Sequence, residues 1–458
     1  MDEQGILQDG DRRAQAYVAG IESRRVFPDV EACSALSGFN EDLPEVGISA
    51  TDTLKLMDEL GSPATVASNG PNYFGFVIGA SLPAAAAAER LALAWDQCAS
   101  TQDGSPVADV LEKQAGRWLL DILDLPRDSA VAFGTSATAC GLSCLAAARG
   151  ALLDRLGWDV VNDGVMGAPE IKVIVPASTH VTVRKALQIL GFGWARVLKA
   201  PVDGQGRIIP DQLPPMDGRT ILVLQAGEVN TGEFDPFVEL IPRAKAAGAW
   251  VHVDGAFGLW ARAAPKLRDL TQGIEGADSW TTDGHKWLNT PYDGAMAICR
   301  DPQALARVMN SDAAYSTASA DAQKNLTLEF SRRARGIPVW AALRTLGRTG
   351  VADLVETHHK QAQHIAAALS EAGFDVLNRV VLNQVLVRGT DDAATESILK
   401  QVQASGTSWF GGSVWQDRPA FRISLSSFRT RDEHVERLIK LLRRIGPDGS
   451  ASLETGVE

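Results

Sequence analysis

Nothing in the composition offers a covalent or metallic framework. Cysteine is scarce, five in 458 residues (Cys33, Cys98, Cys140, Cys144 and Cys299), odd in number and without metal-ligand spacing to histidine. That argues against a disulfide scaffold, fits a reducing compartment and provides no metal site. Positive charge is short as well: 44 Lys and Arg stand against 56 Asp and Glu, a formal net charge of −12. Nucleic acid and anionic membrane select basic surfaces, so neither is expected as a partner. The most apolar run, from Leu82 through the alanine block 84–88 to Trp95, is interrupted by Glu89 and Arg90 and cannot span a bilayer. The opening Met1-Asp2-Glu3-Gln4 is acidic and polar, unlike a signal peptide. A cytoplasmic location is the expectation.

With 45% hydrophobic and 22% charged residues the chain reads as globular, and its length allows two or three domains. Apolar, β-branched runs at 171–175, 220–224, 250–253 and 295–299 read as strands, and helical patterns at 183–190 and 236–247 fall between them. Such βαβ alternation predicts an α/β fold with a mostly parallel sheet. Residues 1–65 read as a helical arm with little core of its own, with helices at 12–22 and 53–60. Residues 66–330 form the expected large domain. From 331 to 458 helices at 338–346 and 351–372 alternate with short strands at 374–377, 384–387 and 422–425, a smaller α/β domain.

The stretch with most chemistry is Asp283-Gly284-His285-Lys286-Trp287-Leu288-Asn289, which follows a predicted strand. A lone Lys usually snorkels to water. Here Trp250-Val251-His252-Val253-Asp254-Gly255-Ala256 stands upstream, a buried-strand run ending on an acid where open α/β sheets place ligands. A carboxylate at a strand's carboxyl end and a Lys one strand on suit pyridoxal phosphate. The amine condenses with the aldehyde, and the acid keeps the pyridine nitrogen protonated. Ser136, Ala137 and Thr138 open a helix, so their amides, hydroxyls and helix dipole offer an anion site. His180 stands at a strand-to-helix junction, and Asn230 lies in the Gly-rich turn 227–235.

On these residues, taken in order and with 32 positions from Asp254 to Lys286, the chain resembles the fold-type I, group II pyridoxal-phosphate decarboxylases, the family of aromatic amino acid and glutamate decarboxylases. The resemblance runs from about residue 70 to 440. It implies that Lys286 is the internal-aldimine lysine, that Asp254 is the pyridinium partner and that His180 stacks on the ring. It further implies phosphate contacts from Ser136, Ala137, Thr138 and His285, and cofactor contacts from Asn230 and Ala256. Phe74, Phe76 and Arg422 match substrate-side positions, and a homodimer with shared active sites follows from the same likeness. The activity implied is decarboxylation of an L-amino acid. One departure stands out: anchored on Arg332-Arg333-Ala334-Arg335, the family's loop tyrosine, which protonates the product carbon, is replaced by Gln323. Tyr315, in the polar segment 310–325, or His180 could serve instead. An aldehyde synthase, a lyase or aldolase, and a non-catalytic cofactor-binding protein therefore stay open.

Overall fold

The computed structural model describes residues 2–310 and 321–450. Its residues fall into two compact units, one of Met1–Ala80, His364–Leu377 and Leu386–Glu458, the other of Ser81–Gln363 and Asn378–Val385. The N-terminal segment groups with C-terminal residues. Among the described residues no helix is long and apolar enough to cross a membrane.

The second unit carries seven strands: β1 (Ala130–Gly134), β2 (Lys172–Pro176), β3 (Leu198–Ala200), β4 (Thr220–Gln225), β5 (Trp250–Asp254), β6 (Ser279–Asp283) and β7 (Ala295–Cys299). Their spatial order is β1-β7-β6-β5-β4-β2-β3. Pairs from β3 through β6 are parallel, and β7 runs antiparallel to both β1 and β6. Every residue of β1, β4, β6 and β7 is buried, which is why these strands read as continuous rather than alternating runs. The helix Ala137–Arg155 packs on one face through Cys140, Cys144, Ala147, Ala148 and Leu152, against Ala132, Ala295, Ala297 and Cys299 of the sheet. Small residues on both sides let helix and sheet approach closely. The Cys144 thiol reaches the carbonyl of Trp280 at 3.7 Å. The expected mostly parallel sheet is therefore observed, with seven strands.

The first unit holds β8 (Asp375–Val376), β10 (Gly411–Trp415) and β11 (Arg418–Ser424), which with β9 (Gln384–Arg388) make a four-stranded sheet of order β10-β11-β9-β8. The helix Asp432–Ile445 buries Val435, Leu438, Ile439, Leu442 and Ile445 at helical spacing. Its N-terminus is closed by His434, whose Nδ1 accepts the Arg431 N–H at 3.0 Å. The helical run Gly336–Glu371 breaks at Gly347, where φ is 61°. A glycine takes that left-handed conformation without a Cβ penalty, so the pattern divides where the sequence reading divides it.

One buried ion pair anchors the second unit. Glu112, on the helix Pro106–Ile122, and Arg332 each keep 1% of side-chain exposure. Arg332 Nη1 donates to Glu112 Oε1 at 3.0 Å, Nη2 donates to Oε2, and the Gly336 N–H adds a bond to Oε1 at 2.9 Å. Removing one partner leaves a charge buried without compensation, so Glu112→Gln is expected to cost about 3–5 kcal/mol of stability. Urea unfolding measures this, and an unchanged midpoint would contradict the bridge's role.

Candidate active site

The carboxyl ends of β1, β2, β4, β5 and β6 point the same way, and β4, β5 and β6 end on Gln225, Asp254 and Asp283. Gln225, Asp254 and Thr281 are neighbours in register across β4, β5 and β6. Alternation along β5 and β6 puts Trp250, His252 and Asp254 on one face with Ser279, Thr281 and Asp283.

The loop after β1 leaves residues 135–138 half-buried at the start of Ala137–Arg155. Ser136 caps that helix, its hydroxyl accepting the Ala139 N–H at 3.4 Å. The Ala137 N–H donates to Asp283 Oδ1 at 2.7 Å, and the Lys286 ammonium lies 3.2 Å from Asp283 Oδ2. One carboxylate, 2% exposed, therefore joins the Lys286 amine to the open helix terminus. Lys286 Nζ also stands 5.9 Å from the Phe257 ring. His285 stacks on Tyr292 with centroids 4.3 Å apart, and its Nδ1 accepts the Gly294 N–H at 3.3 Å. Burial pushes the imidazole below its ordinary range, against the pull of Asp283 3.8 Å from Nε2. Neutral His285 at pH 7 thus carries its proton on Nε2.

Asp254 is half-buried, with Oδ1 accepting the Ala256 N–H at 3.2 Å and its carbonyl accepting the Ala226 N–H at 2.8 Å. The Ala256 carbonyl in turn accepts the Asp283 N–H at 2.9 Å. Below Asp254 on the same face His252 is pushed down to about 3 by burial and shares a 2.9 Å hydrogen bond with Ser279. No positive charge from His252 therefore competes for Asp254. His180 caps the helix Val181–Ile189, its Nδ1 2.7 Å from the Thr182 hydroxyl. Asn230 donates its backbone N–H to buried Glu228 at 2.7 Å, part of a turn that the same carboxylate holds through Thr231. Phe74, Phe76 and Arg422 belong to the first unit. There Phe74 is fully buried and its N–H donates to the Trp409 carbonyl at 2.7 Å. Phe76 is 56% exposed at φ 53°, a conformation costing a bulky residue roughly 1–2 kcal/mol, and its ring lies 5.5 Å from Trp409. Arg422 sits on β11 opposite Gly411.

One sequence reading changes here. Gln323 does not sit in an open loop: it is buried, its Nε2 donating to the Val131 carbonyl at 3.0 Å and its Oε1 accepting the Phe133 N–H at 3.1 Å. It closes the outer edge of β1. Tyr315 lies outside the described residues. Asp283 was missed, although the alternation Ser279, Thr281, Asp283 marks it as facing the same way as Asp254.

The turn beyond Asn230 ends on Asp235, whose two oxygens accept the Ile208 and Gln225 N–H groups at 2.7 Å each. Burial nevertheless pushes this carboxyl up to about 7. Between the ordinary carboxyl range and that value the folded state holds a proton that the unfolded chain has released. Stability from this group is thus present at low pH and falls as pH rises toward 7. Relative to wild type, Asp235→Asn should gain up to about 3 kcal/mol between pH 5 and pH 8. Unfolding midpoints of the two proteins at both pH values measure it, and a constant difference would contradict the shift.

An amine, an anion-binding helix terminus and a carboxylate at a strand end fit a molecule carrying an aldehyde, a phosphate and a basic ring nitrogen. The buried hydroxyls of Thr179 and Thr281 have no protein partner, and Thr281 stands in register beside Asp254, so the site also has polar groups to satisfy.

Known proteins resemble this chain over most of its length. Residues 38–388 match the family model described as the pyridoxal-dependent decarboxylase conserved domain. Tryptophan decarboxylase 1 of Oryza sativa subsp. japonica is 26% identical over 93% of this chain and 90% of its own length. The 4-hydroxyphenylacetaldehyde synthase of Rhodiola rosea is 24% identical over 93% and 91%. A solved structure of Oryza sativa TDC with PLP and tryptamine superposes with a TM-score of 0.87 at 24% identity, covering 96% of this chain and 97% of that one. Since the matched span holds the helix terminus, the acid and the lysine in one continuous stretch, the chain belongs to the pyridoxal-dependent decarboxylase family.

Proposed function

We propose that the chain removes the carboxylate of an L-amino acid as carbon dioxide, with Lys286 as the residue that carries pyridoxal phosphate. The observation that carries this reading is the bridge through Asp283 between the Lys286 amine and the Ala137 amide, with Asp254 on the same sheet face. Pyridoxal phosphate supplies an aldehyde that captures amines and a ring that accepts the electrons left when a bond at the amine-bearing carbon breaks. Lys286 offers the amine that anchors this group and yields to the substrate amine. Ser136, Ala137 and Thr138 grip the phosphate, with His285 beside them. Asp254 holds a proton at the ring nitrogen, and His180 restrains the ring from one side. Asn230 and Ala256 complete the polar rim. Phe74, Phe76 and Arg422 are assigned the substrate side on the family resemblance, Arg422 as a planar donor to a carboxylate.

The active form is proposed to be a homodimer in the cytoplasm. The helices Glu3–Ala19, Val30–Ala35 and Ala50–Leu56 bury no residue, and Leu43 and Val46 are 93% and 82% exposed. Apolar side chains so placed call for a covering surface.

A second reading is favoured by the glutamine at 323, where the family resemblance aligns the loop tyrosine, and by the aldehyde synthase among the relatives. Without the family's loop tyrosine at that position, the product carbon could meet dioxygen, giving an aldehyde, ammonia and peroxide. A panel of L-amino acids assayed for carbon dioxide, amine, aldehyde, ammonia and peroxide decides. Amine equal to carbon dioxide supports decarboxylation, and aldehyde with ammonia and peroxide supports the second reading. No carbon dioxide from any amino acid refutes both and points to a lyase, an aldolase or a non-catalytic binder.

A further inference from the structure

We infer that Asp283 is a positioning residue that competes with the cofactor's phosphate for the N-terminus of the helix Ala137–Arg155 and so sets how tightly the chain holds it. The inference rests on the phosphate assignment above. Asp283 is held rigidly: its N–H donates to the Ala256 carbonyl at 2.9 Å and its carbonyl accepts Trp260 Nε1 at 3.2 Å. Its carboxylate is thereby aimed at the same amide, Ala137 N at 2.7 Å, that a phosphate on residues 136–138 would use. A helix terminus offers few unpaired N–H groups, and one of them already has a negative partner. A phosphate arriving there must take the amide from Asp283 and stay beside its charge, which the 2% exposure of that residue leaves poorly screened. The second oxygen, 3.2 Å from Lys286 Nζ, ties the amine down by the same means.

A neutral side chain at 283 removes both the competition and the repulsion. In the full-length protein stripped of cofactor, Asp283→Asn and Asp283→Ser should each bind pyridoxal phosphate at least about fivefold more tightly than wild type, as read from visible absorbance. Pyridoxal, which lacks the phosphate, should gain less. Inorganic phosphate, tested alone by thermal shift, should stabilise the variants more than the wild type. Circular dichroism confirms the fold of each variant. Affinity for pyridoxal phosphate equal to or below wild type in both folded variants would overturn the inference. So would equal gains for pyridoxal and pyridoxal phosphate. A wild type that forms no chromophore reducible onto Lys286 would defeat the lysine assignment, whereas the inorganic phosphate measurement would still judge Asp283.

Discussion

Lys286→Ala protein is expected to release carbon dioxide from amino acids at least about 10³-fold more slowly than wild type, and to lose the visible chromophore. The reason lies in the surroundings of this amine. Its side chain is 21% exposed, so it is reachable from solvent yet largely enclosed, and its charged partner Asp283 is buried. Through Asp283 the amine is tied to the helix terminus at Ala137. The variant leaves the buried Asp283 carboxylate without its ion-pair partner, so circular dichroism has to confirm the fold before rates are compared. Borohydride reduction and peptide mapping of the wild type should mark Lys286. A label on another lysine, or full activity in the variant, would end the assignment.

The second large effect is expected at Asp254. Asp254→Asn keeps the size of the side chain and an acceptor for the Ala256 N–H, 3.2 Å away, but loses the charge. If that charge keeps a ring nitrogen protonated, kcat should fall by about 10²–10⁴-fold while substrate KM changes little. Asp254→Ala should be as damaging. Retained turnover in the Asn variant would show that shape rather than charge is what the position supplies.

Much of the large sheet was legible because strands buried on both faces are runs of apolar, β-branched residues, as at Thr220–Gln225 and Ala295–Cys299. Asp254 ends β5 and Lys286 follows β6, so the residues proposed for the chemistry came with the strands. β10 was not legible: Gly411-Gly412-Ser413-Val414-Trp415 is partly exposed along its length and opens on two glycines, so it has no strand signature of its own. Asp283 was passed over because its meaning depends on Ala137, 146 positions earlier, and no local pattern joins them. Gln323 illustrates the reverse case. Placed by its distance from an arginine cluster, it was read as a loop residue, yet its side-chain amide has the donor and acceptor of a peptide group and serves as one.

That imitation bears on how copies of the chain could meet. An outermost strand normally offers its free amides and carbonyls to any other extended segment, and many assemblies and aggregates grow by that route. On β1 the outward-facing Val131 carbonyl and Phe133 amide already have a mate in Gln323, and at the opposite rim β3 is only three residues long. Continuation of the large sheet from one copy to another is therefore disfavoured at both ends, and the proposed dimer would have to form through side-chain surfaces such as those around Leu43 and Val46.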